Sequence, residues 1–281
     1  ETVSGLTTTG STVINDVEIL PLGILFWRSL LHWLGGMGIL VLALAIMPTI
    51  GVGAHQIFKA ETTGPISDKV APKLKDTAKI LYIAYLGITV LQTVLLMFGG
   101  MDLFQALIHT FGTVGTGGYS TKNTSVGAFN SSYITLVIGI FMMLSGINFS
   151  LYYELYKKRF RHILQNIELR AYLSIILVST ILIAINIYSL YGSVFESFKH
   201  AFFQVSSIIT TTGYSSVNYD LWPSFSKAIL FFLMFVGGSA GSTGGAIKVI
   251  RIVILFMFVR REIKKLLHPR ALIPIQLNNK T

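Results

Sequence analysis

Three short strings hold the residues best suited to chemistry in this chain. Leu6-Thr7-Thr8-Thr9-Gly10-Ser11-Thr12 matches Val114-Gly115-Thr116-Gly117-Gly118-Tyr119-Ser120, and both match Ile209-Thr210-Thr211-Thr212-Gly213-Tyr214-Ser215. The chemistry they offer is oxygen ligation of a dehydrated cation. Glycine has no Cβ, so a loop that contains it can aim carbonyls inward. Threonine hydroxyls add oxygens or brace the loop. A ring of carbonyls replaces the hydration shell of a potassium ion. One TTTG alone reads as a helix-capping loop; three copies in matching surroundings read as parts of a filter. The second copy has Gly-Thr-Gly-Gly where the others have Thr-Thr-Thr-Gly, which leaves its register open by one residue.

Such loops need helices to hold them within a bilayer. Hydrophobic residues make up 52% of the 281 residues and charged residues 12%, against about 25% charged in a soluble domain. The mean hydropathy is +0.67. Apolar stretches from Pro21 to Met47, Thr77 to Met97, Tyr133 to Tyr153, Leu169 to Leu190 and Phe225 to Val259 read as spans of roughly 20 residues or more. Leu103 to Phe111 and Val194 to Ile209 lead into the second and third loops and read as re-entrant half-helices. The repeat unit is spanning helix, half-helix, Thr/Gly loop, spanning helix. Two full crossings per unit keep successive units parallel, so all three loops face one side. A half-helix that points its C-terminal end at the loop favours a cation there.

The formal net charge is +10. Its distribution argues against nucleic acid. Basic residues cluster at Lys59 to Lys79, Lys157 to Arg170 and Lys248 to Arg270, while the alternate connections are poor in them. That is the positive-inside pattern and assigns the clusters to the cytoplasm. There is no cysteine, which excludes disulfides and thiolate-bound metals. The six histidines show no metal-ligand spacing. No grouped His, Asp or Glu set lies inside the spans, so an enzyme is not expected.

A second site is the run Gly237-Gly238-Ser239-Ala240-Gly241-Ser242-Thr243-Gly244-Gly245 inside the last span. Glycine costs about 1 kcal/mol relative to alanine in a helix, so the helix should break here. The run can serve close helix packing, or it can form an intramembrane loop below the filter that obstructs the path. A phosphate loop would need Lys-Ser or Lys-Thr after the last glycine; here Lys248 is followed by Val249. Lys248 and Arg251, on the inner side of the break, can meet the loop, a cytosolic regulator or lipid headgroups. Arg28 and His32 are expected at the outer interface, and Glu154 against the basic cluster beside it.

These residues resemble the TrkH branch of the Trk/Ktr/HKT potassium transporter superfamily. The similarity runs through Ser4 to Thr12, His32-Trp33-Leu34-Gly35-Gly36-Met37-Gly38-Ile39, Lys59-Ala60-Glu61-Thr62-Thr63-Gly64-Pro65, Ser145-Gly146-Ile147-Asn148-Phe149, Gly238 to Arg251 and His268-Pro269-Arg270-Ala271. The resemblance implies an all-α integral membrane fold with parallel repeats set pseudo-fourfold around one pore. It divides the chain into the end of repeat one (1–58), repeat two (59–156), repeat three (157–259) and a cytoplasmic linker (260–281) to a fourth repeat. Because the chain opens inside the first motif, it is expected to be part of a longer protein.

By the same resemblance, the carbonyls of Thr8, Thr9, Thr116, Gly117, Thr211 and Thr212 face potassium. Gly10, Gly118 and Gly213 shape the filter, and residues 238–245 with Lys248 and Arg251 form the gate. A single glycine per strand implies looser exclusion of sodium than a two-glycine filter gives. Potassium is the substrate and no cofactor is implied. A homodimer with a cytosolic nucleotide-binding ring of TrkA type, in a bacterial inner membrane, is expected. Passive flow and symport with protons or sodium both fit. A secondary transporter of another solute is the alternative, disfavoured because many such carriers use inverted repeats.

Overall fold

The computed structural model describes residues 1–38 and 74–267. The stretch Lys59 to Pro65, the string His268 to Ala271 and most of the 260–281 linker's tail lie outside the described residues. The named elements are helical: α1 (Thr2–Leu6), α2 (Leu22–Gly36), α3 (Leu74–Phe98), α4 (Leu103–Val114), α5 (Ser132–Ser145), α6 (Phe149–Tyr156), α7 (Phe160–Gln165), α8 (Ile167–Asn186), α9 (Tyr188–Tyr191), α10 (Val194–Ile209), α11 (Ser224–Leu233) and α12 (Val249–Leu267). Short 3-10 turns cover Ser125–Phe129 and Tyr219–Leu221.

Local chemistry explains where the half-helices start. Asp102 caps α4 by accepting the Gln105 N–H at 2.6 Å, and Ser193 caps α10 by accepting that of Glu196 at 3.5 Å. Both are ordinary N-cap types that satisfy a free helix donor. Neither helix is aligned to stand alone in lipid. α4 packs on α3 and α2, and α10 packs on α8 and α5. Each half-helix is therefore wedged between two other helices.

Ala78–Phe98 and Ile167–Asn186, of 21 and 20 residues, are long and apolar enough to cross a membrane. Two expected spans are not single helices. The Tyr133 to Tyr153 stretch bends by 94° between α5 and α6. At the bend the Gly146 carbonyl accepts the Ser239 N–H at 2.8 Å, and Asn148 caps α6 through the Ser150 N–H at 2.9 Å. A Cβ on Gly146 would lie 2.2 Å from the Tyr172 hydroxyl, so glycine is required there. Of the span expected over Pro21 to Met47, the described part is helical to Gly36, capped at Met37, with Gly38 at φ +72°; residues 39–47 lie outside the described residues. The last apolar run parts after Leu233, a few residues before the glycine run, and resumes at Val249.

Candidate ion filter and the loop beneath it

The three Thr/Gly strings close their helices alike. After α1, Thr8 N–H donates to Gly5 O at 3.0 Å and Thr9 N–H to Ser4 O at 3.0 Å. After α4, Thr116 N–H donates to Thr113 O at 3.1 Å and Gly117 N–H to Gly112 O at 2.8 Å. After α10, Thr211 N–H donates to Ile208 O at 3.0 Å and Thr212 N–H to Ser207 O at 2.9 Å. This is the Schellman pair of bonds, which needs a left-handed residue at its turn and takes glycine there by preference. Here the position is threonine in all three copies, with φ +53° at Thr8, +54° at Thr116 and +59° at Thr211. Two residues on, Gly10, Gly118 and Gly213 have φ +73°, +78° and +84°. The sign of φ thus alternates through three residues, three times over. Left-handed backbone costs a side-chain-bearing residue roughly 1–2 kcal/mol, a strain that surroundings must over-determine. The shared pattern also fixes the register of the second loop: Thr116 and Gly118 stand where Thr8 and Gly10, and Thr211 and Gly213, stand.

Neighbouring loops touch through backbone. A Cβ on Gly10 would sit 2.2 Å from the carbonyl oxygen of Gly117, and one on Gly118 would sit 1.9 Å from that of Thr212. Gly213 meets nothing within 4 Å among the described residues. The three strings are therefore laid side by side in chain order.

Behind them stands α2. A Cβ on Gly35 would lie 2.1 Å from Leu6 O, and one on Gly36 would lie 2.5 Å from the Gly115 Cα. Arg28 and His32, expected at the outer interface, are both buried among protein side chains. Arg28 is 3% exposed, pairs with Glu1 at 2.6 Å and lies over the Tyr119 ring at 4.1 Å. His32 is fully buried and stacks on Tyr119 at 3.9 Å, against the backbone of Gly117. Both back the first and second loops; a partner 27 residues earlier in the chain is what moves Arg28 inward. Glu154 behaves as expected, meeting Arg159 at 3.6 Å.

The glycine run is folded back under the second and third loops. Its two ends are joined: Gly237 N–H donates to Ile247 O at 2.8 Å and Val249 N–H to Gly238 O at 3.2 Å. Between them, Thr116 Oγ1 donates to Thr243 O at 2.9 Å, and Gly245 N–H donates to Thr211 Oγ1 at 2.7 Å. The left-handed threonines of two strings thus carry the loop directly. Gly241 O accepts the Phe149 N–H at 3.0 Å, Thr243 Oγ1 donates to Ser145 O at 3.2 Å, and Ser242 Oγ donates to Ser239 O at 2.6 Å. Lys248 is buried and its Nζ donates to Gly244 O, so of its open alternatives the loop is the one it meets. Arg251, one turn on, is exposed.

The residue missed by sequence reasoning is Glu168. It is 6% exposed at the start of α8, and one carboxylate oxygen accepts the Ala240 N–H at 2.6 Å and the Ile250 N–H at 3.3 Å. It grips both the glycine run and the start of the helix that follows it. A signal existed: Glu168 is the only acid between Lys157 and Arg170. No group of three His, Asp or Glu that could hold a metal occurs among the described residues.

Comparison with known proteins follows this geometry. A family model described as TrkH, a cation transport protein, matches residues 1–281. The Trk system potassium uptake protein TrkH of Escherichia coli (strain K12) is 42% identical over 284 residues, covering all of this chain and 59% of that protein. The TrkG protein of the same organism is 40% identical, covering 58% of its length. The crystal structure of the potassium transporter TrkH from Vibrio parahaemolyticus superposes with a TM-score of 0.84 at 37% identity, covering 99% of this chain and 57% of that one. The chain spans about three fifths of the length of these relatives. With its apolar crossings, this makes it a multi-pass protein of the bacterial inner membrane. The chain belongs to the TrkH family of cation transport proteins.

Proposed function

We propose that the three Thr/Gly strings are strands of a potassium-selective filter and that the 237–245 loop is the gate below it. The observation that carries this is the thrice-repeated left-handed threonine and glycine pair. Non-helical backbone in a membrane costs several kcal/mol per unpaired group unless it lines a wet path. Strained threonine three times over has no use in mere helix capping, where glycine would serve better. In this reading the carbonyls of Thr8, Thr9, Thr116, Gly117, Thr211 and Thr212 take the place of water around the ion. The C-terminal ends of α4 and α10 add a field that favours a cation. A further strand, seated against Gly213, completes the ring. The relatives' names, potassium uptake proteins, support the choice of ion.

The exposed cations Lys157, Lys158, Arg159, Arg161 and Arg170 support a cytosolic, nucleotide-binding regulatory ring docked on the inner face; a dimeric assembly belongs to the same reading by resemblance alone. The deciding experiment is conductance of the full-length protein in planar bilayers under opposed potassium and sodium gradients. A reversal potential set by potassium is expected, with sodium admitted to a small degree because each strand has one filter glycine. Equal permeation of both ions, or none, overturns the reading.

A further inference from the structure

The residue that follows each filter glycine is Ser11, Tyr119 or Tyr214. The carbonyl of that residue is held by a hydroxyl in all three loops, but the source of the hydroxyl differs. In the first loop Ser4 Oγ donates to Ser11 O at 2.6 Å, and in the third Ser207 Oγ donates to Tyr214 O at 2.6 Å. Ser4 and Ser207 lie at the same register, six residues before the glycine. In the second loop that register is Gly112. Its place is taken from outside. The Tyr214 hydroxyl, coming from the third loop, donates to Tyr119 O at 2.8 Å, with His109 O farther off at 3.3 Å. A Cβ on Gly112 would lie 2.2 Å from that phenol oxygen and 3.0 Å from Tyr119 O. Gly112 is therefore absent of side chain because a neighbour's hydroxyl fills the serine's position.

We infer that Gly112 and Tyr214 form a matched pair that sets the width of the filter mouth, with Tyr214 as a specificity-determining positioning residue. Tyr214 does not touch the ion in this reading; it acts through the Tyr119 carbonyl, one residue beyond Gly118. Tyr214 is fully buried, so when its hydroxyl is removed no water replaces it cheaply, and a buried acceptor loses its partner. The corresponding phenol one loop earlier is different. Tyr119 donates to Ser11 O at 3.1 Å, but Ser11 O keeps the Ser4 hydroxyl whatever happens to Tyr119. The two tyrosines look equivalent in sequence and are unequal in consequence.

This rests on the filter reading, and the test separates the two. In the full-length protein in bilayers, Tyr214→Phe is expected to lower the potassium-to-sodium permeability ratio several-fold, and by more than Tyr119→Phe lowers it. Gly112→Ser alone is expected to lower the ratio, because the serine meets the phenol. Gly112→Ser with Tyr214→Phe is expected to recover part of it, since the serine then donates as Ser4 and Ser207 do; the ring carbon at 3.1 Å must yield by a few tenths of an ångström. Thermal melting in detergent checks that each variant folds. A well-folded Tyr214→Phe with an unchanged ratio overturns the pair, as does equal loss in the two tyrosine variants. Gly118→Ala is run beside them. If it alters the ratio and Tyr214→Phe does not, only the pair fails; if neither alters it, the filter reading fails.

Discussion

The Glu168 carboxylate holds the Ala240 amide at 2.6 Å, tying the first turn of α8 to the glycine run. The same oxygen reaches Ile250 on the far side of the run. Hydrogen bonds to a charged group contribute about 1.5–3 kcal/mol each, and about 1.4 kcal/mol is tenfold in an equilibrium. Glu168→Ala is therefore expected to raise potassium flux into liposomes about tenfold, with ion preference unchanged. Glu168→Gln, which keeps the accepting oxygen, should stay near the parent. Flux in Glu168→Ala no higher than in the parent shows that the carboxylate does not hold the loop shut.

Removing the loop's own length is a coarser probe. Deleting Gly241 to Gly245 takes away the acceptors for Phe149 N–H and Lys248 Nζ and the donor to Thr211. Flux should rise while the potassium-to-sodium ratio holds, because the filter bonds after α4 and α10 remain. Tracer uptake of both ions measures it; unchanged flux removes the gate.

Gly118 and Gly213 share a left-handed backbone and differ in surroundings. At either position an alanine bears a conformational cost of about 1–2 kcal/mol. At Gly118 it also strikes the Thr212 carbonyl, 1.9 Å from its Cβ. Gly118→Ala and Gly213→Ala should each lower the potassium-to-sodium ratio rather than abolish conduction, the second because the proposed further strand is seated against Gly213 as Thr212 is against Gly118. Single-channel recording of the two variants compares them directly.

The connection before α2 is pinned to the one after the second filter string. Glu18 meets Lys122 at 2.9 Å and accepts the Asn123 N–H at 3.3 Å, and these bonds hold its carboxyl below the usual carboxylate range. A lowered folded pKa means the contact stabilises above the ordinary carboxylate value and is lost as pH falls through the lowered one. Protection against hydrogen exchange of the Val17 amide, whose N–H donates to Asn123 Oδ1 at 2.9 Å, should fall as pH drops below the ordinary carboxylate range. The Glu18→Gln variant should show faster exchange at neutral pH and no acid step from this pair.

Much of this was legible because it is periodic or capped. Val194 to Ile209 reads as a half-helix from its apolar pattern, and the structure has the same bounds. The three strings align by eye. What was not legible depends on contacts made far along the chain. The bend at Gly146 is set by Ser239 and Tyr172, neither of which a window over Tyr133 to Tyr153 contains. Glu168 hides in a basic stretch whose bland role is to lie in water, and its partners are 72 and 82 residues away. Arg28 reads as a misplaced charge until Glu1 and Tyr119 surround it.

The seating of a loop glycine on the next loop's carbonyl runs one way in both seams described, Gly10 to Gly117 and Gly118 to Thr212. That makes it a head-to-tail contact, of the kind that closes into a ring or runs on as a spiral according to its rotation. In the proposed filter each repeat then behaves as a protomer with a donor face and an acceptor face, and the ring is quaternary structure written within a single chain. Damage at one seam stays at that seam: the ring loses its symmetry before it loses its closure, and graded selectivity, rather than all-or-none failure, is the natural output of such a pore.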